Sequence, residues 1–444
     1  MLKVNDKKLY IETYGCQMNV ADSEIVASVM KESGYTITDC ADDADLILLN
    51  TCSIRENAEK KVLNRLKEIK SLKKRKPCIM VGIIGCMAER MKESLLDSGL
   101  AVDLVVGPDS YRTLPSLVEE AKTGSNRINV ILSSEETYSD IMPVRFDNNG
   151  ISAFISIMRG CNNMCSYCVV PFVRGTERSR NPKSIIREAE ELFAMGYREV
   201  TLIGQNVNSY LWKENGKVIS FPEILRKVAQ IDPLLRVRFS TSHPKDLSDE
   251  LLQTIATHEN ICKHIHLPLQ SGSDRILNLM NRQYTRNWYM KRIEAIRKII
   301  PGCSVSTDII AGFCTETEED HKATLSMMEW AEFDFAYMFR YNERPGTKAA
   351  EELADDVPDD VKTRRLNEIV TLQNSLSAKS KKADIGKIYK VLVEGRSKRS
   401  EDYLSGRNSQ NKTVVFPAIN FRKGDYVNVL VEKSTSATLI GRVI

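Results

Sequence analysis

Long apolar runs are missing from this 444-residue chain; no stretch approaches the ~18 residues needed to span a bilayer. The opening MLKVNDKKLYIETYGC has neither an apolar leader core nor a small-residue cleavage site. That argues against secretion and predicts a cytoplasmic protein. No repeat of solenoid period is present, which excludes a stacked-repeat architecture. Net charge is also small, at +4, but it is unevenly spread. Residues 381–444 hold 13 Lys and Arg against 6 Asp and Glu, whereas the remainder holds 50 against 53. Only the C-terminal end therefore has the electrostatic character of a surface for an anionic partner such as nucleic acid.

A content of 42% hydrophobic and 27% charged residues is that of a globular protein, and the length calls for two or three domains. Residues 1–145 alternate strand-like KLYIETYGC, DLILLNTC, IMVGIIGC and LVVGPDS with helical stretches such as DSEIVASVMKESGY. This is the pattern of an open α/β layer with a mainly parallel sheet. After a polar connection at Asp147-Asn148-Asn149-Gly150, strands are expected at AFISIMRG, REVTLIGQN, LRVRFSTS, HIHLPLQ, CSVSTDIIAG and FAYMFRY. Residues 146–378 thus read as a partial (β/α)6 barrel with its chemistry at the strand C-termini. A long polar helix over 359–382 leads out. Residues 379–444, with short strands and turns, read as a small, basic, antiparallel β-barrel.

Eleven cysteines in a large cytosolic chain point to metal binding or chemistry rather than a disulfide framework. The stretch RGCNNMCSYCVVPFVRG carries Cys161, Cys165 and Cys168 in a C-x3-C-x2-C spacing. Thiolates this close all reach one cubane iron–sulfur cluster, which normally takes four cysteines. Three ligands leave one iron open to a small molecule, and an open position makes a metal centre reactive. Tyr167 is expected to pack beside whatever fills it. A zinc knuckle is the alternative; it needs a fourth ligand, and no Cys or His follows nearby. Folding could still bring His243, His264 or His266 close. Cys16, Cys52 and Cys86 lack short spacing, but each directly follows a strand. The ends of parallel strands share one edge, where ligands bind, so a second three-cysteine cluster is expected. The competing reading makes each a small buried hydrophobe, which is the expectation for Cys40, Cys78, Cys262, Cys303 and Cys314.

C-x3-C-x2-C with an aromatic before the last cysteine resembles the radical S-adenosylmethionine enzymes. With three strand-end cysteines before it and a basic barrel after it, the full chain resembles the methylthiotransferases among them. TYGCQMN (13–19), NTCSIRENAEKKV (50–62) and CSYCVVPFVRGTERSR (165–180) are most similar to the tRNA branch. The first domain is then similar to the auxiliary-cluster domain and the last to the TRAM domain, an RNA-binding module.

The resemblance implies two 4Fe–4S clusters, S-adenosyl-L-methionine, and methylthiolation at C2 of N6-isopentenyladenosine beside the tRNA anticodon, at position 37. Adenine C2–H is not acidic enough for base catalysis at neutral pH, so a cofactor must carry radical chemistry. By resemblance, the open iron held by Cys161, Cys165 and Cys168 chelates S-adenosylmethionine, which is cleaved to a 5′-deoxyadenosyl radical. Cys16, Cys52 and Cys86 hold the cluster whose sulfur is methylated and delivered. Further cofactor contacts are implied for Gly204 and Gln205 in LIGQN, where the wider superfamily has Gly-Gly-Glu. Others are Gln270 and Ser271 in HLPLQSGS at the ribose, Gly312 and Phe313 in DIIAGF beside the adenine, and Arg282 in LMNRQY at the carboxylate. Plain barrel filling competes for each of these. Arg174, Arg178 and Arg180 would hold phosphates beside an extruded base, with the terminal barrel gripping the stem through its backbone.

His264 and His266 share a strand face by period two and read as polar barrel filling, with a second metal as the alternative. The run Lys73, Lys74, Arg75 and Lys76 reads as a solvated helix end. The implied partners are a tRNA anticodon stem-loop, an electron donor such as flavodoxin or ferredoxin, and iron–sulfur or sulfur supply proteins, with no membrane and a monomeric chain. The rivals are sibling methylthiotransferases acting on threonylcarbamoyl-adenosine or on a ribosomal-protein aspartate, and a zinc-stabilised RNA-binding protein without catalysis.

Overall fold

A computed structural model describes residues 7–53, 56–97, 99–124, 127–146 and 150–444. The polar connection at Asp147-Asn148-Asn149 lies outside them. The chain forms two compact units, one of residues 1–146, 156–162 and 168–184, the other of 147–155, 163–167 and 185–444.

The first unit begins with β1 (Lys7–Tyr14), α1 (Gln17–Glu32), β2 (Tyr35–Ile37), β3 (Leu46–Thr51) and α2 (Glu56–Arg75). β4 (Met80–Gly85), α3 (Cys86–Met91), α4 (Ser94–Asp97), β5 (Leu104–Val106), α5 (Leu114–Lys122) and β6 (Ile128–Asn129) follow. The six strands form one sheet in the order β2-β1-β3-β4-β5-β6, and every pair in it is parallel. Parallel strands covered on both faces need apolar side chains in both directions. β3 shows why: Leu46 and Leu48 enter the core beside Val26 and Leu117, while Ile47 and Leu49 enter the opposite core beside Val62 and Leu66. The unit also holds a two-residue antiparallel ribbon of residues 158–159 against 178–179.

The second unit carries the barrel strands β7 (Ser152–Ser156, its last residue in the first unit), β10 (Glu199–Ile203), β13 (Arg236–Phe239), β14 (His264–His266), β15 (Ser304–Ala311) and β16 (Phe335–Arg340). They form two three-stranded pieces, β13-β10-β7 and β14-β15-β16, with a bridge from Val237 of β13 to Ile261, just before β14. Between β7 and β10 lie β8 (Met158–Arg159), α6 (Val170–Arg174), β9 (Arg178–Ser179) and α7 (Pro182–Ala194). The helices α8 (Phe221–Ala229), α9 (Asp249–Thr257), α10 (Asp274–Leu279), α11 (Arg286–Ile299), α12 (Glu318–Ala331) and α13 (Lys348–Glu352) separate the later strands. A hairpin of β11 (Leu211–Glu214) with β12 (Lys217–Ser220) interrupts the alternation. The sequence pattern does not announce it, because its side chains are largely exposed and lack apolar periodicity. The polar helix expected over 359–382 is α14 (Asp359–Lys382).

The terminal strands β17 (Ile388–Ser397), β18 (Ser400–Arg407), β19 (Thr413–Pro417), β20 (Tyr426–Ser434) and β21 (Leu439–Val443) close a barrel in the order β17-β18-β19-β21-β20. Its core is Val391, Val393, Val414, Phe416, Val429 and Val431. The barrel is antiparallel except where β19 runs parallel to β21. An odd ring of strands cannot alternate direction all the way round, so one parallel pair is obligatory. Among the described residues no helix is long and apolar enough to cross a membrane.

Candidate functional site

In the first unit, β1, β3 and β4 are in register, with Tyr14 opposite Thr51 and Thr51 opposite Gly85. Cys16, Cys52 and Cys86 follow those residues within one or two positions, so one sheet edge receives all three. Gly15, at φ +126°, makes the approach possible: a Cβ there would stand 2.5 Å from Cys52 Cβ. Gly85, at φ +88°, does the same against Asn50, whose Oδ1 would lie 2.4 Å from a Cβ. The edge is braced by side-chain amides. Asn19 donates from Nδ2 to Asn50 Oδ1 (2.8 Å), and Asn50 donates from Nδ2 to Asn19 O (2.8 Å) and Ser23 Oγ (2.9 Å).

The thiol of Cys16 is lowered to about 6, chiefly by its hydrogen bond with Cys52, against burial and with help from Arg174. Burial pushes Cys86 up, and Arg174 pulls against it. At neutral pH the edge therefore already favours a thiolate, the form that ligates metal. Among the described residues no three His, Cys, Asp or Glu side chains are gathered at metal-holding distances. The donor chemistry, the shared edge and the two glycine cradles nevertheless fit a thiolate-held cluster.

Of the C-x3-C-x2-C cysteines, Cys161 and Cys168 belong to the first unit and Cys165 to the second. In the second unit, residues 163–167 are tied to the turn after α10. Ser166 donates from its backbone N to Met280 O (3.1 Å) and from Oγ to Leu279 O (2.7 Å), and Asn281 Nδ2 donates to Met164 O (2.8 Å). Arg282 is buried; its Nη1 donates to Cys165 Sγ (3.2 Å) and Tyr167 OH (3.4 Å). Its guanidinium is therefore engaged by Cys165, Tyr167 and Pro268 O, not free for a ligand's carboxylate as expected.

Of the other expected cofactor contacts, Gly204 follows β10, and Gln205 beside it has a buried Oε1 without a hydrogen-bond partner. Gln270, at φ 67°, spends its backbone bridging Asp308 O and Ile310 N. Two expectations need correction. Ser271 is fully buried, with its hydroxyl engaged by Thr324 and by Ser273 N. Phe313 is also fully buried and sets its ring edge-on to Tyr167 (6.3 Å) and Tyr341 (4.9 Å). Gly312, at φ +70°, leaves room for Lys362, whose Cγ would be 2.3 Å from a Cβ, and its N–H donates to Glu316 (2.8 Å).

The phosphate role expected for Arg174, Arg178 and Arg180 is corrected as well. All three are buried, because acidic and carbonyl partners inside the first unit claim them. Arg174 pairs with Asp22, Arg178 with Asp109, and Arg180 donates to Ser156 O and Ser184 Oγ. His264 and His266 both meet Ser306 Oγ at 3.0 Å, which is polar barrel filling. The Lys73–Lys76 run ends α2, with Lys73, Arg75 and Lys76 paired to Asp103, Asp42 and Asp45.

Comparison with known proteins follows this layout. Residues 8–107 match the uncharacterized protein family UPF0004, 155–328 the radical SAM superfamily, and 382–444 the TRAM domain. Over 441 residues the chain is 58% identical to a tRNA-2-methylthio-N(6)-dimethylallyladenosine synthase of Bacteroides thetaiotaomicron, covering 99% of this chain and 97% of the relative. The protein so named in Amoebophilus asiaticus is 56% identical, over 98% and 92% of the two chains. The chain belongs to this synthase family. Among solved structures, the radical S-adenosylmethionine methyltransferase TsrM of Kitasatospora setae superposes with a TM-score of 0.58 at 15% identity, over 78% of this chain and 75% of that one. The cobalamin-dependent S-adenosylmethionine radical enzyme OxsB gives 0.53 at 11%, over 83% and 56%. These two likenesses speak for the fold.

Sequence reasoning named Gln205, and His243 only as a zinc alternative, but missed Asn206, Asn208 and Ser242, which join them in a group of polar atoms at the ends of β10 and β13. Gln205 Oε1, Asn206 Oδ1, both amide atoms of Asn208, Ser242 Oγ and His243 Nε2 are buried without hydrogen-bond partners. Buried polar atoms are normally satisfied, so this many together mark a place that polar ligand atoms complete. The signal was available: GQNVN and STSH directly follow strands that end in the barrel mouth. Burial, with Arg282 and Lys245 behind it, lowers His243 to about 2, so it stays neutral there.

Proposed function

We infer that this chain methylthiolates C2 of N6-isopentenyladenosine at position 37 of tRNA, using two 4Fe–4S clusters and two molecules of S-adenosyl-L-methionine. The observation that carries this is 58% identity along 441 residues to a synthase of that product. Cys161, Cys165 and Cys168 would hold one cluster, and Cys16, Cys52 and Cys86 the other. Together these groups supply reductive cleavage of S-adenosylmethionine and the sulfur that enters the base.

The protein's own residues supply placement. Arg282 fixes Cys165 and the Tyr167 hydroxyl as one unit, and Phe313 backs the Tyr167 ring. Gln205, Asn206, Ser242 and neutral His243 offer unsatisfied polar atoms to the cofactor's amino-acid and ribose groups. The terminal barrel exposes Lys390, Arg396, Lys398, Arg399, Arg422 and Lys423, the kind of surface that neutralises RNA phosphates without reading bases. We assign 1–145 to the auxiliary cluster, 146–378 to the radical reaction and 379–444 to RNA. A cytoplasmic setting, an electron donor such as flavodoxin or ferredoxin, and a sulfur or iron–sulfur supply protein complete the proposal.

Mass spectrometry of tRNA from a strain lacking the gene tests it. Isopentenyladenosine without the methylthio group should accumulate. Loss of methylthiolated threonylcarbamoyl-adenosine, or of the ribosomal-protein modification, would overturn the substrate assignment.

A further inference from the structure

Asp22 and Asp109 lie against three guanidiniums inside the first unit. Arg159 meets Asp22 (2.8 Å) and Asp109 (3.5 Å), Arg174 meets Asp22 (2.7 Å), and Arg178 meets Asp109 (2.9 Å). Arg159, Arg174 and Asp22 are 1%, 3% and 0% exposed, so water does not balance them. Three cations face two carboxylates. Asp22 is already shared, since Arg159 donates to one oxygen while Arg174 and the Tyr111 hydroxyl donate to the other. An uncompensated buried charge is costly unless an anion completes it.

The unbalanced end is Arg174. Its Nη2 is on Asp22, its Nε points at Cys86 Sγ (3.2 Å), and its Nη1 is buried with no hydrogen-bond partner. Cys86 in turn packs on Val169 and Val173, so α6 presses the arginine's own segment onto that cysteine. The helix that starts two residues after Cys168 therefore delivers a cation to the other cysteine trio.

We propose that Arg174 is a positioning residue for the auxiliary cluster: its guanidinium orients Cys86 and supplies the positive charge that sets the potential of the centre on Cys16, Cys52 and Cys86. This rests on the reading that the trio holds a cluster. Nη1 and Nε donate to sulfur, and the surplus charge of the arginine network meets the negative charge of the thiolate-held centre. Lysine keeps the charge but not the planar fork.

The test uses the full-length chain with Cys161, Cys165 and Cys168 replaced by alanine, so that one centre alone is read. Iron and sulfide per chain, the electron paramagnetic resonance spectrum and the midpoint potential are measured for this parent and for added Arg174→Gln, Arg174→Lys and Asp22→Asn. Arg174→Gln should move the potential to more negative values and change the spectrum. Arg174→Lys should restore most of the potential but not the spectrum. Asp22→Asn, which unmasks the arginine, should move the potential the other way, and it decides the matter if Arg174→Gln does not load. Unmoved potentials in loaded variants would overturn the role of Arg174 alone. A parent that binds no iron would overturn the trio reading and this proposal with it.

Discussion

Arg282 holds Cys165 from the far side of the sequence: its Nη1 donates to the Sγ at 3.2 Å and reaches the Tyr167 hydroxyl at 3.4 Å. Groups that orient a metal ligand typically matter 10–100-fold for affinity or activity. Arg282→Ala should therefore slow release of 5′-deoxyadenosine from S-adenosylmethionine by roughly that factor, with binding of an anticodon stem-loop unchanged. An unimpaired rate would show that Arg282 is only packing.

Cys165→Ala tests the proposed cluster on Cys161, Cys165 and Cys168. Cleavage of S-adenosylmethionine should be abolished, iron per chain should fall by about half, as expected when one of two equal clusters is lost, and tRNA should still bind. Persistent cleavage would show that the cysteine assignment is wrong.

Gly15→Ala tests the auxiliary edge without touching a thiol. The new Cβ would meet Cys52 Cβ at 2.5 Å, on a backbone at φ +126° that disfavours any side chain. Cys52 must shift, so half the iron should be lost while cleavage of S-adenosylmethionine survives. Full iron loading measured colorimetrically would contradict the placement of the trio.

Two buried histidines predict an acid limb. His243 is lowered to about 2 and His264 to about 3, each chiefly by burial and then by nearby cationic groups. The unfolded chain takes up their protons near pH ~6.5 while the folded chain refuses them, so stability is intact above that pH and lost below it. Each should cost about 1.4 kcal/mol per pH unit in that range. Urea midpoints at pH 7.5 and 5.5 should differ accordingly, and His264→Gln should flatten the slope. An unchanged slope would place the acid sensitivity elsewhere.

The architecture was legible because its signals are local. Parallel strands buried on both faces must be apolar throughout, as LILLNT and MVGIIG are, and each ends on a turn that hands over a cysteine. What the sequence hid is long-range charge. Arg174, Arg178 and Arg180 look like a free basic cluster in GTERSR and its approach, yet Asp22 and Asp109 claim two of them from 69 to 152 residues away. No periodicity reveals such a pairing. The hydroxyl of Ser271 was hidden in the same way, since Thr324 comes to it only through the packing of α12.

The most direct measurement is product formation by the reconstituted chain under anaerobic, reducing conditions. An anticodon stem-loop bearing N6-isopentenyladenosine is supplied with S-adenosylmethionine, and nucleosides are read by mass spectrometry. 2-Methylthio-N6-isopentenyladenosine should form, with none when Cys16 or Cys165 is alanine. Product from either variant, or none from the intact enzyme with both clusters loaded, would contradict the proposed function.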